Sequence, residues 1–326
     1  MSIRRTRRRN VPARLLMTVP HRREYVNPFY LERVCGLESY RRDTFCLDEA
    51  ARGAYNFMVV HTRRSDSARP PAAGSWRQIG EKTMKVIVSE SYEQSCALAA
   101  DMIEKLVREK PECTLGLATG SSPVGMYKEL ARRCREEGLD FSHVKSVNLD
   151  EYVGLEPTHD QSYRYFMDSN LFDHINIDKA NTYVAKGTGD VEANIAEFNA
   201  VLKNSDVDLQ VLGVGPDGHL GFNEPGETLY DCAHKEVLDE STIDANARFF
   251  ATRDDVPRYA VTMGMGDIMR AKSLLLIISG NKQEAATALL MDDKITTHCP
   301  ATFMKLHRNA TVFIEKKLAD EIGYKG

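Results

Sequence analysis

Several features that would sort a chain quickly are missing here. The seven cysteines (Cys35, Cys46, Cys96, Cys113, Cys134, Cys232 and Cys299) are scattered and odd in number, with no C-x-x-C pair. Such a set in 326 residues argues for reduced thiols and a cytosolic setting, and against a disulfide framework. No Cys/His cluster has zinc spacing, so no metal is expected. No apolar run approaches the roughly 18–20 residues that cross a bilayer, so a cytoplasmic, soluble chain without a membrane partner is expected. Internal repeats and low-complexity linkers are also lacking after residue 84.

The net charge of −4 conceals a division. Residues 1–83 carry 16 Arg and 1 Lys against 8 Asp/Glu, a net +9. Residues 84–326 carry 10 Arg and 16 Lys against 39 Asp/Glu, a net −13. An acidic body repels a phosphate backbone, which argues against nucleic acid as its partner. The extension holds RRTRRR at 4–9, RPP at 69–71 and little hydrophobic periodicity, so little stable packing is expected of it. Three readings compete for 1–83. The first 23 residues fit an Arg-rich targeting peptide, though the apolar stretch of a secretory signal is missing. The arginine run alone would suit a basic arm for nucleic acid. The reading preferred is that 1–83 is disordered, or upstream of a natural chain that starts at Met84, where a strand begins at once with KVIV.

From Met84 the pattern is regular. Strand-like runs (85–88, 113–118, 144–149, 209–212, 260–263, 273–278, 311–314) alternate with helical periodicity (92–108, 124–135, 163–172, 191–202, 283–290). This predicts one α/β domain over 84–326: a three-layer, Rossmann-like fold with a mostly parallel sheet and helices on both faces. Ligands in such folds bind beyond the carboxyl ends of the strands. The polar segments TGSS, NLDE, GVGPDGH and SGNK all follow strands, so four loops are expected to converge on one rim.

Each loop admits a plain reading beside a functional one. Thr119, Gly120, Ser121 and Ser122 precede a helix near Pro123, where backbone N–H groups and hydroxyls suit a phosphate; an ordinary turn with a Ser cap fits equally. No lysine stands at Walker A spacing, which disfavours a nucleotide triphosphatase. Asp150 and Glu151 end a strand. Asp150 suits proton abstraction beside a carbonyl if desolvated, but spacing alone favours a capping Asp with a solvated Glu151. Gly213–Gly218 fit G-x-G-x-x-G, yet Pro216 and Pro225 interrupt any helix, and 231–240 is not expected to end a strand, so dinucleotide binding is rejected. What remains is a glycine-rich loop that brings Asp217, His219 and Glu224 to a ligand, three ionisable groups in eight residues. Arg248, in NARFF, and Lys282, after SGN, are either solvated charges or counter-charges to a phosphate.

Taken in order, LATGSSP, NLDEYVGL, GVGPDGHLGFNEP, NARFF and SGNK closely resemble the glucosamine-6-phosphate deaminase (isomerase) family across Met84–Gly326 and not across 1–83. NLDEYVGL together with GHLGFNEP separates this resemblance from the related 6-phosphogluconolactonases. It implies a cofactor-independent aldose–ketose isomerisation that releases ammonia. His219 would open the sugar ring, with Asp217 and Glu224 orienting it. Asp150 would move the C2 proton to C1. Thr119, Gly120, Ser121, Ser122, Arg248 and Lys282 would hold the 6-phosphate. Allosteric members bind N-acetylglucosamine 6-phosphate between subunits with hydroxyl and basic residues just after FNEP. Here Glu227, His234 and Glu236 stand in that segment, so no such activation is expected. The state, monomer or homo-oligomer, is left open. The alternatives are a lactonase-like hydrolase, which would not need Asp150, and a sugar-phosphate sensor domain, which would need a DNA-binding module that 1–83 does not resemble.

Overall fold

The structure is a computed structural model that describes residues 3–4, 14–18, 57–61 and 84–325. The chain divides between Gln78 and Ile79 into two units. In the first, β1 (Ile3–Arg4), β2 (Arg14–Thr18) and β3 (Phe57–His61) form an antiparallel sheet in that order. The rest of the extension lies outside the described residues, including 5–9 of the arginine run, most of the stretch read as a targeting peptide and RPP at 69–71.

The second unit has strands β4 (Met84–Ser89), β5 (Thr114–Leu117), β6 (Lys145–Asn148), β7 (Asp150–Tyr152) and β8 (Thr182–Tyr183). They are followed by β9 (Leu209–Leu212), β10 (His234–Val237), β11 (Tyr259–Thr262), β12 (Leu274–Ile278) and β13 (Ala310–Glu315). Its helices are α1 (Tyr92–Glu109), α2 (Val124–Glu137), α3 (Tyr163–Asn170), α4 (Val191–Asn204), α5 (Glu240–Asn246), α6 (Met265–Met269), α7 (Gln283–Leu290) and α8 (Lys316–Glu321). Seven strands form one sheet in the order β4-β13-β12-β9-β5-β6-β8, and every pair in it is parallel. Successive residues of a strand face opposite sides. All five of β12 (LLLII) and all four of β9 (LQVL) are buried, so both faces of the sheet centre are covered. Each aliphatic side chain so buried stabilises the fold by about 1.5–3 kcal/mol.

The strand order carries the functional geometry. From β5 the chain moves outward through β6 to β8; it then returns to β9, beside β5, and moves the other way through β12 and β13. β5 and β9 therefore flank the point where the winding reverses, and the loops beyond them part to leave a crevice. The four strands whose ends carry TGSS, NLDE, GVGPDGH and SGNK are adjacent: β12-β9-β5-β6.

Two expectations need correction. The strand at 260–263 does not join the parallel sheet: β11 lies between β10 and β7 in a separate antiparallel sheet. Further, the region 231–240, not expected to end a strand, holds the end of one: 234–237 is β10. Its sequence, HKEV, lacks apolar alternation because only His234 of the four is buried, and pairing with β11 sets its conformation. The glycine loop after β9 opens no helix before β10, and β10 is not a parallel neighbour of β9, so the two parts of a dinucleotide unit are not joined here. Around the small sheet, Tyr152, Phe222, Leu238, Ile243, Val256 and Ala260 build a second core.

Candidate active site

The crevice is a cavity of about 580 Å³. Thr119, Gly120, Ser121, Ser122, Asp150, His219, Arg248 and Lys282 all line it. Asp217 and Glu224 do not; they reach His219 instead. Its Nδ1 lies 2.8 Å from Asp217 Oδ1 and 3.5 Å from Glu224 Oε2. The ten residues singled out in the sequence thus gather at one place.

Beyond β5 the chain turns at Gly120, whose φ of 86° lies in the left-handed region that glycine adopts without strain. Helix α2 then starts at Pro123 with no side-chain cap, so neither serine spends its hydroxyl on capping. Uncapped amides at the head of a 14-residue helix favour an anion. Two tyrosines that sequence reading missed brace this loop. Tyr92 of α1 donates to Ser121 O (2.9 Å) and Ser122 O (3.1 Å) and accepts from Gly125 N (2.9 Å). Tyr127 of α2 donates to Ala118 O (2.7 Å) and accepts from Ala118 N (3.2 Å). No local signal marks either tyrosine, since both sit in ordinary helical apolar positions.

Asp150 occupies the step from β6 into β7, where the chain leaves the parallel sheet for the antiparallel one. Leu149 N donates to Leu117 O in one sheet (3.1 Å), and Leu149 O accepts from Met263 N beside the other (2.7 Å). Its backbone is therefore held from both sides. The residue is 5% exposed. Burial, and then the negative charge of Glu151, push its pKa well above the ordinary aspartate value. The expected roles of the two acids are exchanged relative to the plain reading. Glu151 is not solvated: it is buried and accepts from Ser162 Oγ (2.9 Å), Tyr163 N (2.9 Å) and Arg164 N (3.1 Å) at the start of α3. Asp150, rather than Glu151, is the acid left free to face the cavity.

In the loop after β9, two glycines are fixed by space. A Cβ on Gly215 would lie 2.2 Å from His219 Cε1, so any side chain there evicts the imidazole. Gly218 has φ of 93°, and its Cβ would lie 2.3 Å from Cys299 Sγ. His219 N donates to Asp217 Oδ1 (3.2 Å), but Nδ1 makes no aligned hydrogen bond to the same carboxylate. Glu224 is 8% exposed, and neither of its oxygens has a hydrogen-bond partner among the described residues. Burial raises its pKa, while His219 partly opposes the rise. For Asp217 burial acts in the same upward direction, but the His219 contacts outweigh it and leave the pKa lowered.

Asp217, His219 and Glu224 offer ligand atoms within 4.8 Å of one another, a grouping that a search for Cys/His spacing overlooks. Ligands around a tetrahedral zinc are separated by about 3.4 Å at zinc bond lengths of about 2.1 Å. The 2.8 Å approach of Nδ1 to Asp217 is shorter than that.

Arg248 lies in the short 3-10 turn Ala247–Phe249, its guanidinium over the Phe249 ring at 4.6 Å. Lys282 precedes α7 and donates to Val214 O. Burial, reinforced by Arg248 and partly offset by Asp217, lowers the Lys282 pKa to about 8. Arg248 and Lys282 line the same cavity, and two cations that face one cavity suit an anion. Tyr163, also missed, lines the same cavity and stacks on Phe222 (5.9 Å, 7°).

A family model described as glucosamine-6-phosphate isomerases/6-phosphogluconolactonase matches residues 88–313. A glucosamine-6-phosphate deaminase of Clostridium perfringens is 50% identical over 238 residues, 72% of this chain and 98% of that protein. Another, from Thermoanaerobacter sp., is 45% identical over 241 residues, 73% of this chain and 95% of that protein. Among solved structures, a monomeric glucosamine-6-phosphate deaminase superposes with a TM-score of 0.70 at 38% identity, covering 73% of this chain and 99% of that one. A 6-phosphogluconolactonase of Thermotoga maritima, at 20% identity and TM-score 0.57, shares the fold.

Proposed function

We infer the chemistry of this cleft from a plain premise: the chain belongs to the family of glucosamine-6-phosphate isomerases and 6-phosphogluconolactonases. Within that family it is an enzyme of the deaminase branch, converting glucosamine 6-phosphate and water to fructose 6-phosphate and ammonia. The catalytic unit is residues 84–326. The observation that carries the residue roles is the buried, free Asp150 carboxyl facing the same cavity as His219.

The roles follow from what the reaction needs. The 6-phosphate sits among Thr119, Gly120, Ser121 and Ser122, at the head of α2, with Arg248 and Lys282 as counter-charges. His219 moves a proton between the C1 hydroxyl and the ring oxygen, opening the pyranose to an aldehyde. Asp217, paired with Nδ1, holds the ring and its tautomer. Asp150 then takes the proton from C2, which the neighbouring aldehyde acidifies, leaving an enol with the amine still on C2. Returning that proton to C1 turns C2–NH2 into an iminium. Water adds to C2, ammonia leaves, and the ketone remains. C1 is reduced as C2 is oxidised, so electrons balance within the sugar. Positioned acids and bases suffice, each worth typically 10²–10⁴-fold. Desolvation makes Asp150 a stronger base than a solvated carboxylate.

Ammonia and fructose 6-phosphate measured together from glucosamine 6-phosphate test the reading, and fructose 6-phosphate without equimolar ammonia overturns it. Asp150→Asn should abolish turnover while sparing substrate binding; unchanged turnover refutes its role as base.

A further inference from the structure

The hydrogen-bond deficit of the site gathers at one point. His219 Nδ1, both carboxylate oxygens of Glu224 and the hydroxyl of Thr242 are all buried, and none has an aligned partner among the described residues. Thr242 is the member of this group that the reaction leaves without a task. It is 3% exposed and stands in the first turn of α5, one residue before Ile243, which is fully buried in the second core. Packing therefore sets its place. A helical threonine commonly returns its hydroxyl to the carbonyl three or four residues back. Thr242 makes no such bond, so its hydroxyl hydrogen is unspent.

What that hydroxyl meets is Glu224. Burial disfavours the Glu224 anion most, and Asp217 and Asp239 add to this; His219 and the Thr242 hydroxyl, within hydrogen-bond reach, favour it. The further ionisable residues nearby, Glu227, His234 and Glu236, line with Glu224 and Asp239 a second cavity of about 260 Å³. Thr242 is thus the neutral donor that acts on a carboxylate otherwise opposed by burial and by its own sign of charge. The approach falls short of an aligned hydrogen bond, as catalytic contacts often do before substrate tightens them.

Resting on the deaminase reading, we propose that Thr242 is a positioning residue for ring opening: its hydroxyl donates to Glu224 and fixes that carboxylate, as the anion, against His219. Ring opening carries a proton from the C1 hydroxyl to the ring oxygen, and His219 is an imidazolium while it holds that proton. Asp217, 2.8 Å from Nδ1, and Glu224, 3.5 Å from it, are the carboxylates that stabilise this charge. Asp217 is tied to its loop by His219 N, which donates to Oδ1 at 3.2 Å. Glu224 has no backbone donor of that kind, and Thr242 supplies a donor from α5. Thr242 lines the main cavity, yet its hydroxyl oxygen is covered, so it acts through Glu224 and not on the sugar. Ala245 and Asn246 of α5, and Arg248 beyond it, line the same cavity. The wall that brings a counter-charge to the phosphate thereby also orders the acid–base group.

Two substitutions separate the hydroxyl from the packing. Thr242→Val keeps the branched shape and removes the hydroxyl; Thr242→Ser keeps the hydroxyl and removes the methyl. Ammonia and fructose 6-phosphate are followed from glucosamine 6-phosphate in both, with inorganic phosphate as a competitive inhibitor that reports on the Arg248 wall. Thr242→Val should lower kcat about tenfold, the loss expected of one hydrogen bond to a charged group, with substrate KM and the phosphate Ki unmoved. An unmoved Ki also reports that the variant folds with α5 in place. Thr242→Ser should regain most of that kcat. In a Glu224→Gln background the valine substitution should cost less than about twofold more, because the carboxylate it acts through is gone. The proposal is overturned if Thr242→Val keeps kcat within about twofold. It is overturned too if Thr242→Ser is as slow as Thr242→Val, which assigns the effect to packing, or if the phosphate Ki rises in step with the loss, which assigns it to a displaced wall. If the unaltered protein releases no ammonia from glucosamine 6-phosphate, the deaminase reading falls first, an outcome distinct from these.

Discussion

Raising the pH through 8 interrogates the phosphate end of the cleft. Lys282 titrates at about 8 against its usual 10.5, because burial and the adjacent Arg248 both disfavour its charge, with Asp217 opposing them in part. A lysine with a depressed value is charged below it and neutral above it. At pH 9 about one free molecule in eleven still carries the ammonium group, taking one pH unit as a tenfold change. If the charged form alone captures the substrate phosphate, kcat/KM falls about tenfold per unit above pH 8. A bound phosphate restores the proton, so kcat stays level and KM takes the whole effect. The assay follows ammonia and fructose 6-phosphate from pH 6.5 to about 9.5. Lys282→Arg should remove the descending limb, since a guanidinium stays charged throughout. A limb owned by the substrate's own amine would persist in that variant. The reasoning is refuted if kcat/KM is level from pH 7.5 to 9.5 in the unaltered protein, or if Lys282→Arg keeps the limb.

Asp150→Asn should stabilise the fold while it stops turnover. The folded pKa of Asp150 is raised, so its charge costs stability above that value, and the cost is absent below the unfolded value near 3.9. At pH 8 the variant should therefore melt at a higher Tm than the unaltered protein by calorimetry. The same comparison at pH 3.5 should show almost no difference. Gly215→Ala should lower kcat by 10²-fold or more, because its Cβ would lie 2.2 Å from the imidazole; kcat within about twofold contradicts the placement. Tyr92→Phe frees the Ser121 and Ser122 carbonyls and Gly125 N, and should raise substrate KM at least about fivefold with kcat held, the effect of a single lost bond worth about 1 kcal/mol. N-acetylglucosamine 6-phosphate should leave the substrate half-saturation unchanged, given Glu224, Glu227, Glu236 and Asp239 along the second cavity; a shift refutes this.

How much of this is legible before any coordinates depends on the range of the interaction. The parallel strands are legible because burial on both faces forces continuous apolar runs, as in LLLII of β12. The convergence of four loops follows from their position after strands. What stays hidden is decided by partners far along the chain. β10 is a strand because β11 pairs with it, and HKEV carries no sign of this. Glu151 caps α3 through Ser162, eleven residues on, so spacing assigns the cap to the wrong acid. Tyr92 reaches a loop some 30 residues away. The glycine pattern misled for a related reason: it reports where the backbone is crowded, and here the crowding body is His219 rather than a nucleotide.

The same distinction explains why unfavourable electrostatics concentrate at this rim. Asp150, Glu224 and Lys282 are each pushed toward their neutral forms, mainly by burial. A marginally stable domain tolerates such groups where its backbone is otherwise over-determined. Asp150 is held between two sheets, the β9 loop is closed by Gly215 N to His219 O (3.0 Å), and the β5 loop is braced by two tyrosine hydroxyls. Those constraints come from the scaffold and not from the ionisable groups. The charges therefore keep little satisfaction of their own, and a sugar phosphate can supply it when it arrives.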